Sequence, residues 1–170
     1  MTGFSLRDAT AADAPAIARI YGHYVRTTSF TFEEAEPSAA EMVDRMGRII
    51  AAGMPYLEAQ KEGVAGYVYA APFHTRSAYR FTVENSVYVA PELARQGIGT
   101  ALMQGLIAGC AARGCRQMIA RIGDAQNIAS LALHRRLGFV PAGQLTSVGF
   151  KFGRWLDVME MQLALCPDAA

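Results

Sequence analysis

Residues 84–103 read ENSVYVAPELARQGIGTALM, and this stretch decides the fold of the chain. The segment 82–89 is rich in β-branched and aromatic residues, which predicts a strand. Pro91 ends that strand because proline has no N–H to donate to a ladder. A short loop with Gly97 and Gly99 follows, and apolar residues then recur at helical spacing from Leu102 onward. The stretch therefore predicts a strand, a glycine loop and the start of a helix.

This predicted layout is typical of an anion-binding site. The first N–H groups of a helix have no partner within the helix, and the helix dipole adds partial positive charge there. Glycines at the turn let a phosphate approach those N–H groups, and Arg95 adds a formal positive charge. We therefore expect a phosphate ligand at this loop, and a pyrophosphate in particular.

The glycine loop alone does not name the ligand. A P-loop requires a lysine directly after its last glycine, and none follows Gly99. A Rossmann turn requires a third glycine, where this chain has Leu102. Gly97 and Gly99 are also compatible with a tight strand-to-helix turn that binds nothing. Residues outside the loop have to decide between these interpretations.

Two motifs together resemble those of the GNAT superfamily of N-acetyltransferases. The pattern VYV-x-P followed by QGIG, within residues 87–99, resembles the acetyl-CoA motif of that superfamily. Residues 127–139, NIASLALHRRLGF, resemble its next motif at the expected separation. The family usually has Gln or Arg three residues before the first loop glycine, where this chain has Ala94 followed by Arg95. The resemblance implies direct acetyl transfer from acetyl-CoA to an amine within a ternary complex.

Composition limits the class of protein. The chain has 170 residues, of which 52% are hydrophobic and 18% charged, with a net charge of +1. These values predict one compact domain over residues 1–170, with no surface for nucleic acid or membrane. The first residues lack a signal-peptide core, and the three cysteines have no metal-ligand spacing. We expect reduced thiols, no metal and a cytoplasmic location.

The order of predicted elements indicates an α/β sandwich of the α+β type. Its sheet is expected to be mixed, mostly antiparallel and twisted, with helices on both faces. The GNAT resemblance implies the same fold, in which the strands near residues 83–89 and 117–122 run parallel and splay apart. Pantetheine would lie in that gap as a pseudo-strand, bonded to the main chain near Val87 and Val89. The predicted strands are 6–9, 56–60, 64–70, 82–89, 117–122, 139–146 and 156–165, and the predicted helices begin near residues 10, 38, 98 and 127.

The resemblance also implies a set of residues that bind acetyl-CoA. The amide of Val89 is the implied donor to the oxyanion of the reaction. Asn127 and Ser130 are expected to contact the pantetheine arm or to fix the helix, although Asn127 is equally well suited to be a helix N-cap. The full expected set is Val87, Tyr88, Val89, Ala94, Arg95, Gln96, Gly97, Ile98, Gly99, Thr100, Asn127 and Ser130.

Glu84 and His134 are the candidate catalytic residues. A carboxylate on a half-buried strand is costly unless it is paired or functional, and burial would raise its pKa toward the range of a general base. The alternative for Glu84 is an ion pair with a nearby arginine such as Arg80. His134 stands where many GNAT enzymes carry a tyrosine facing the coenzyme sulfur, and an imidazole can donate or accept a proton there. The alternative is a histidine that only packs in the core or on the helix surface.

The acceptor is suggested by a closer resemblance to the phosphinothricin acetyltransferase group. Residues 79–89 and the segment GFKFGRWLD at 149–157 both resemble that group. It acetylates the α-amine of phosphinothricin, methionine sulfoximine and methionine sulfone, and its members are commonly homodimers. A small amino-acid-like amine of this kind would need cationic and hydroxyl partners. The expected substrate-binding residues are Phe32, His74, Thr75, Arg76, Tyr79 and Arg80, with a solvated basic loop as the alternative for the last five.

Other functions stay open at this point. Another GNAT acceptor, such as a polyamine, an aminoglycoside or a protein N-terminus, would favour an acidic or open site, which the Arg76 and Arg80 loop argues against. A sensor that binds acyl-CoA without catalysis is the alternative from a different class. The joint presence of Glu84, His134 and the glycine loop argues against the sensor.

Overall fold

The computed structural model describes residues 3–165, a part of the chain that contains both helices and strands. Four α-helices, three short 3-10 turns and seven strands are formed there. The strands are β1 Ser5–Asp8, β2 Tyr56–Gln60, β3 Val64–Pro72, β4 Thr82–Val89, β5 Gln117–Gly123, β6 Val140–Lys151 and β7 Arg154–Ala164. The helices are α1 Ala14–Thr27, α2 Ala39–Ala51, α3 Ile98–Ala112 and α4 Ile128–Arg136.

All seven strands belong to one sheet in the order β1-β2-β3-β4-β5-β7-β6. Only β4 and β5 are parallel, and every other neighbouring pair is antiparallel. One core lies between the sheet and α3, with Leu102, Met103 and Leu106 fully buried. A second core on the opposite face packs α1 and α2 through Ile17 and Met46. The expected mixed sheet with helices on both faces is confirmed.

Strand β4 sends alternate side chains to these two faces, as a pleated strand must. Val83 packs in the core under α3, whereas Tyr88 packs against the core formed by α1 and α2. Glu84 therefore points to the α1/α2 face, and its neighbour Asn85 points to the α3/α4 face. Two polar side chains of one strand thus reach opposite sides of the sheet.

The parallel pair β4 and β5 separates part of the way along. Their register runs from Thr82 opposite Gln117 to Asn85 opposite Ala120, and no later residue of β4 pairs with β5. The rest of β4 continues to pair with β3 on its other side. The splay that the family resemblance implied is therefore present, and it leaves a gap in the middle of the sheet.

Local signals placed most helix ends correctly. Ser38 accepts a hydrogen bond from the N–H of Glu41, and the Glu41 carboxylate accepts one from the N–H of Ser38, so the predicted capping box is confirmed. The Asn127 side chain accepts from the N–H of Ser130 and caps α4. At Thr10 the chain first makes a 3-10 turn, and α1 begins later than expected, at Ala14.

The last two strands are longer than the sequence predicts. They were expected over 139–146 and 156–165, but β6 continues to Lys151 and β7 begins at Arg154. Phe152 and Gly153, with φ of 52° and 73°, form the tight turn between them, since a two-residue hairpin turn of this kind requires left-handed backbone. A register shift between Leu145 and Gly149 interrupts the regular alternation of side chains along β6. For this reason the sequence pattern does not indicate that the strand continues.

Candidate active site

A cavity of about 650 Å³ occupies the gap between β4 and β5 and opens at the start of α3. A pocket of this size falls in the range of small-molecule sites. It lies at the point where parallel strands part and a helix begins, so main-chain groups as well as side chains form its walls. Most of the residues expected to bind acetyl-CoA line it, namely Val87, Tyr88, Val89, Ala94, Arg95, Gly97, Ile98, Gly99, Thr100, Asn127 and Ser130.

The loop before α3 presents backbone N–H groups to this cavity. Gly97 is the N-cap of α3 and has a φ of 83°, a left-handed conformation that glycine adopts without strain. Arg95 is also left-handed, with a φ of 62°, which is costly for a residue with a Cβ and is typical of functional sites. The first N–H groups of α3 follow Gly97 and have no partner within the helix, so this helix start is suited to bind an anion.

The unpaired edge of β4 offers main-chain groups to the gap. The N–H of Ala90 donates to Ala65 of the strand on the other side. Because strand residues alternate the direction of their main-chain groups, those of Val87 and Val89 face the gap. The carbonyl of Val89 accepts a hydrogen bond of 2.7 Å from the hydroxyl of Tyr24, which comes from the end of α1. The gap is thus lined by strand backbone that lacks a partner strand.

Gln96 differs from the other residues expected at the coenzyme. It does not line the cavity, and its side-chain oxygen accepts a hydrogen bond of 3.1 Å from the ammonium of Lys61. Gln96 therefore fixes the outside of the loop to the hairpin of β2 and β3. No local sequence pattern indicates Lys61, because the two residues are far apart in the chain and meet only in the fold.

His134 lines the cavity from α4 and is almost fully buried. Its Nδ1 lies 2.8 Å from the carbonyl oxygen of Ser130, so Nδ1 donates that bond. Its Nε2 lies 3.0 Å from the side-chain nitrogen of Asn85, which then donates to Nε2. Burial lowers the pKa of His134, and the bond to Ser130 opposes this. The neutral ring is therefore held at both nitrogens, by Ser130 and by Asn85.

Glu84 does not line this cavity and lies on the other face of the sheet. The Arg121 guanidinium is 3.4 Å from its carboxylate and 3.2 Å from that of Glu160. Burial raises the pKa of Glu84, Arg121 lowers it in part, and the nearby Glu160 raises it further. The alternative interpretation of Glu84, an ion pair with a nearby arginine, is therefore met by Arg121 and not by Arg80, whose guanidinium lies over the ring of Phe81. A carboxyl with a raised pKa, beside the gap, is suited to accept a proton.

The residues expected to bind the acceptor fall in two places. The loop between β3 and β4 contains His74, Thr75, Arg76, Tyr79 and Arg80, and all five are exposed. This loop reaches toward Glu84 through Phe73, whose ring packs against Tyr79 and lies 5.0 Å below the guanidinium carbon of Arg121. Phe32 lies elsewhere, beside Gly123 and Gly149. None of the hydrogen bonds, ion pairs or ring contacts found in residues 3–165 joins Phe32 to the loop.

Sequence reasoning missed two residues of the site. In β5, Ile119 lies opposite Glu84, and Arg121 is two residues further along on the same face of the strand. The proximity of Arg121 to Glu84 could have been predicted only if this register had been known. Asn85 follows Glu84 directly and was overlooked because its partner, His134, is distant in the sequence. Its Oδ1 is buried and has no hydrogen-bond partner in the described part of the chain.

Among residues 3–165, no three histidine, cysteine, aspartate or glutamate side chains are grouped closely enough to hold a metal ion. Cys166 lies outside the described residues. Over the same range, no helix combines the length and apolar character needed to cross a bilayer.

Comparison with known proteins gave consistent matches. The sequence pattern described as the acetyltransferase (GNAT) family matches residues 17–139. A phosphinothricin N-acetyltransferase of Alcaligenes faecalis is 52% identical over 154 residues, which is 90% of this chain and 78% of that protein. An L-methionine sulfoximine/L-methionine sulfone acetyltransferase of Pseudomonas paraeruginosa is 40% identical over 165 residues, covering 96% and 95% of the two chains.

A solved structure has the same fold. It is a GNAT superfamily phosphinothricin acetyltransferase from Sinorhizobium meliloti in complex with AcCoA. Its TM-score to this chain is 0.92 at 49% sequence identity, and the match covers 96% of this chain and 89% of that one.

Proposed function

The chain belongs to the acetyltransferase (GNAT) family, and we propose that it transfers the acetyl group of acetyl-CoA to the α-amine of a small amino-acid analogue. Phosphinothricin, methionine sulfoximine and methionine sulfone are the acceptors in question, as the names of its relatives suggest. One observation carries this proposal: the coenzyme-sized cavity in the β4/β5 gap is lined by Arg121, whose guanidinium also contacts Glu84, a carboxylate with a raised pKa. The two faces of the sheet would then bring donor and acceptor together at the gap.

The chain supplies suitable groups for acetyl-CoA. The N–H groups at the start of α3 and the guanidinium of Arg95 would hold the pyrophosphate. The free main-chain groups of Val87 would hold an amide of pantetheine, in place of the strand neighbour that is missing there, and the N–H of Val89 would stay free for the reacting carbonyl. Acetyl-CoA would supply an activated acetyl group whose thiolate leaves when the amine attacks.

Glu84 would act as the general base. An α-amine is mostly protonated at neutral pH and must lose a proton before it can attack. The Glu84 carboxylate would accept that proton, directly or through a water molecule, and its raised pKa brings it closer to the working pH. The N–H of Val89 would stabilise the oxyanion. His134 would contact the sulfur end of the coenzyme and hold Asn85 in place.

Cationic side chains near Glu84 suit an acceptor with an acidic group. Arg76 and Arg80 are exposed on the β3–β4 loop, and Arg121 lies directly beside Glu84. A guanidinium binds a carboxylate or phosphinate through parallel hydrogen bonds, which a lysine cannot match. Phe32 would form an apolar wall at the other end of the gap. A site of this kind favours a zwitterionic amino acid over a polyamine.

The enzyme would act as a homodimer joined through β6 and β7. Strand β6 is an edge of the sheet, and an unpaired edge invites contact with a second chain. The β6–β7 hairpin has large exposed apolar side chains: Val148 and Phe150 of β6, Phe152 of the turn and Trp155 of β7 are between 52% and 65% exposed. A contiguous patch of this type on a sheet edge is typical of a protein interface.

The direct test is product analysis with methionine sulfone. Purified enzyme, acetyl-CoA and methionine sulfone should give N-acetyl methionine sulfone, identified by mass spectrometry, and double-reciprocal rate plots should intersect because both substrates bind before transfer. The matched control is the analogue that lacks the α-amine, which should release no thiol. Parallel plots, or acetylation at another position, would contradict direct transfer to the α-amine.

A further inference from the structure

The segment Thr28 to Phe32, which joins α1 to the chain before α2, lies over the end of the β4/β5 gap and is referred to below as the acceptor loop. We propose that Lys151, Arg154 and Asp124 are positioning residues that clamp the acceptor loop to the β6–β7 hairpin and thereby set the affinity for the acceptor. The proposal rests on the acetyltransferase function proposed above. These three residues do not line the coenzyme cavity. Their role in substrate binding would be exerted only through their contacts with the acceptor loop.

The acceptor loop lies on the face of the sheet that carries Glu84. Thr31 is buried, and its hydroxyl is 2.7 Å from that of Tyr21, whose ring packs edge-on against Tyr88. Tyr88 shares the Glu84 face of β4. The neighbouring Phe30 lines the cavity in the gap. A shift of this loop would therefore change the space beside the reacting groups.

Lys151 forms the first attachment. It is only 3% exposed, and its ammonium donates a hydrogen bond of 2.8 Å to the carbonyl of Thr31. Burial lowers the pKa of this lysine, while the more distant Glu34 and Glu33 raise it. Burying an ammonium whose partner is a neutral carbonyl carries a desolvation penalty, which an apolar side chain packed against the loop would avoid. Gly149, on the same strand as Lys151, lies against the ring of Phe32 in the acceptor loop. Any side chain at Gly149 would therefore push Phe32 away.

Asp124 forms the second attachment, together with Arg154. The buried Asp124 carboxylate accepts hydrogen bonds of 2.5 Å from the Ser29 hydroxyl and from the Arg154 guanidinium. Arg154 also donates to Ser29 at 3.0 Å, so the three side chains form a closed set. Asp124 is left-handed, with a φ of 64°, and stands directly after β5, beyond the residues of β5 that pair with β4. One carboxylate thus joins the acceptor loop, the end of β5 and the β6–β7 hairpin.

These contacts lie on both sides of Phe30 and fix the loop at Ser29 and at Thr31. The contacts of Lys151 and Arg154 come from the hairpin that carries the exposed apolar patch, so the acceptor loop is attached to the proposed dimer surface. If these contacts served only stability, their loss would lower the free energy of unfolding and would not change acceptor KM selectively. A positioning role predicts a specific change in acceptor KM.

The test compares Asp124→Asn, Lys151→Met and Arg154→Met with the wild-type enzyme. Asparagine tolerates the left-handed backbone at position 124, so the chain conformation is kept while the ion pair is lost. Arg154→Lys is the conservative variant that should recover part of the loss. Arg113→Met is the matched control, because Arg113 is an exposed arginine whose one side-chain hydrogen bond within residues 3–165 goes to the carbonyl of Gly109 on its own helix.

We expect acceptor KM to rise about tenfold in the three variants, since each loses a charge-assisted hydrogen bond, while the acetyl-CoA Kd changes by less than about twofold. Hydrogen exchange of the acceptor-loop amides should accelerate by about tenfold in the same variants. The Arg113→Met control should show neither change. An unchanged acceptor KM despite faster loop exchange, or equal losses in acceptor KM and acetyl-CoA Kd, would overturn the proposal.

The two proposals fail in different ways. If the wild-type enzyme acetylates none of the amino-acid analogues but does acetylate another amine, the proposed acceptor is wrong. The same comparison of KM, made with that amine, then tests whether the three residues position the acceptor loop. If no variant alters loop exchange, the clamp is wrong whatever the acceptor is.

Discussion

Replacement of Glu84 by glutamine tests the general base. The amide has the size of the carboxylate but cannot accept a proton at neutral pH. A positioned base contributes about 100- to 10,000-fold to a rate, or roughly 3–5 kcal/mol of barrier. Glu84 is suited to this role because Arg121 stands at 3.4 Å, beyond a short charge-assisted bond, and leaves the carboxylate free to bind a proton. We expect kcat to fall within that range.

The charges around Glu84 predict the direction in which its pKa changes when each of them is removed. Glu160 raises the pKa of Glu84, so Glu160→Gln should move the acidic limb of the kcat/KM profile to lower pH. Arg121 lowers the pKa of Glu84, so Arg121→Met should move that limb to higher pH. Glu160→Gln is also the matched control for charge, because it removes a carboxylate from the same ion pair while leaving the base in place.

The assay is thiol release at saturating acetyl-CoA across a pH series. Ionised Glu84 is the active form, so the rate should rise with pH through its folded pKa, above the ordinary range for glutamate. Because burial disfavours the ionised form, Glu84→Gln should also raise Tm at pH 7. A Glu84→Gln enzyme within about threefold of the wild-type rate would refute the assignment. So would limbs that move in the same direction in the two charge variants.

Other predictions concern the coenzyme, the stability and the assembly. Gly97→Glu should weaken acetyl-CoA binding by at least about tenfold in calorimetry, because it adds strain at a φ of 83° and a like charge at the phosphate site, whereas Gly47→Glu should not. Equal affinities would contradict the phosphate loop. An arginine hydrogen bond lowers the pKa of Asp13 to about 2, so this carboxylate stabilises the fold above its unfolded pKa and loses that effect as the pH falls through about 2. Asp13→Asn should therefore cost about 1–2 kcal/mol in urea unfolding at pH 7 and much less near pH 2, and a loss independent of pH would contradict the linkage. Trp155→Glu should convert the dimer to monomer in sedimentation, whereas Ile50→Glu at another exposed apolar position should not; a monomeric wild-type protein would contradict the interface.

The sequence predicts well those features whose partners are close in the chain. Strand β4 was placed at its observed bounds, since β-rich composition and Pro91 mark both the strand and its end. The capping box at Ser38 was found because its two bonds span one helical turn. The glycine loop was interpreted correctly as the start of a helix for the same reason.

Features that depend on sheet register could not be predicted in this way. Arg80 is closer to Glu84 in sequence than Arg121, yet the register of β4 with β5 brings Arg121 beside Glu84. The contact between Asn85 and His134 crosses from the sheet to α4, and no local pattern indicates it. The same is true of Asp124, whose partners come from the acceptor loop and from β7.

The central claim is that this chain acetylates the α-amine of small amino-acid analogues. The most direct measurement is thiol release from acetyl-CoA with a panel of amines at one concentration. The panel holds phosphinothricin, methionine sulfoximine, methionine sulfone, spermidine, an aminoglycoside and an N-terminal peptide. We predict turnover confined to the three amino-acid analogues. Turnover with spermidine, the aminoglycoside or the peptide alone, or none despite tight acetyl-CoA binding, would contradict the account.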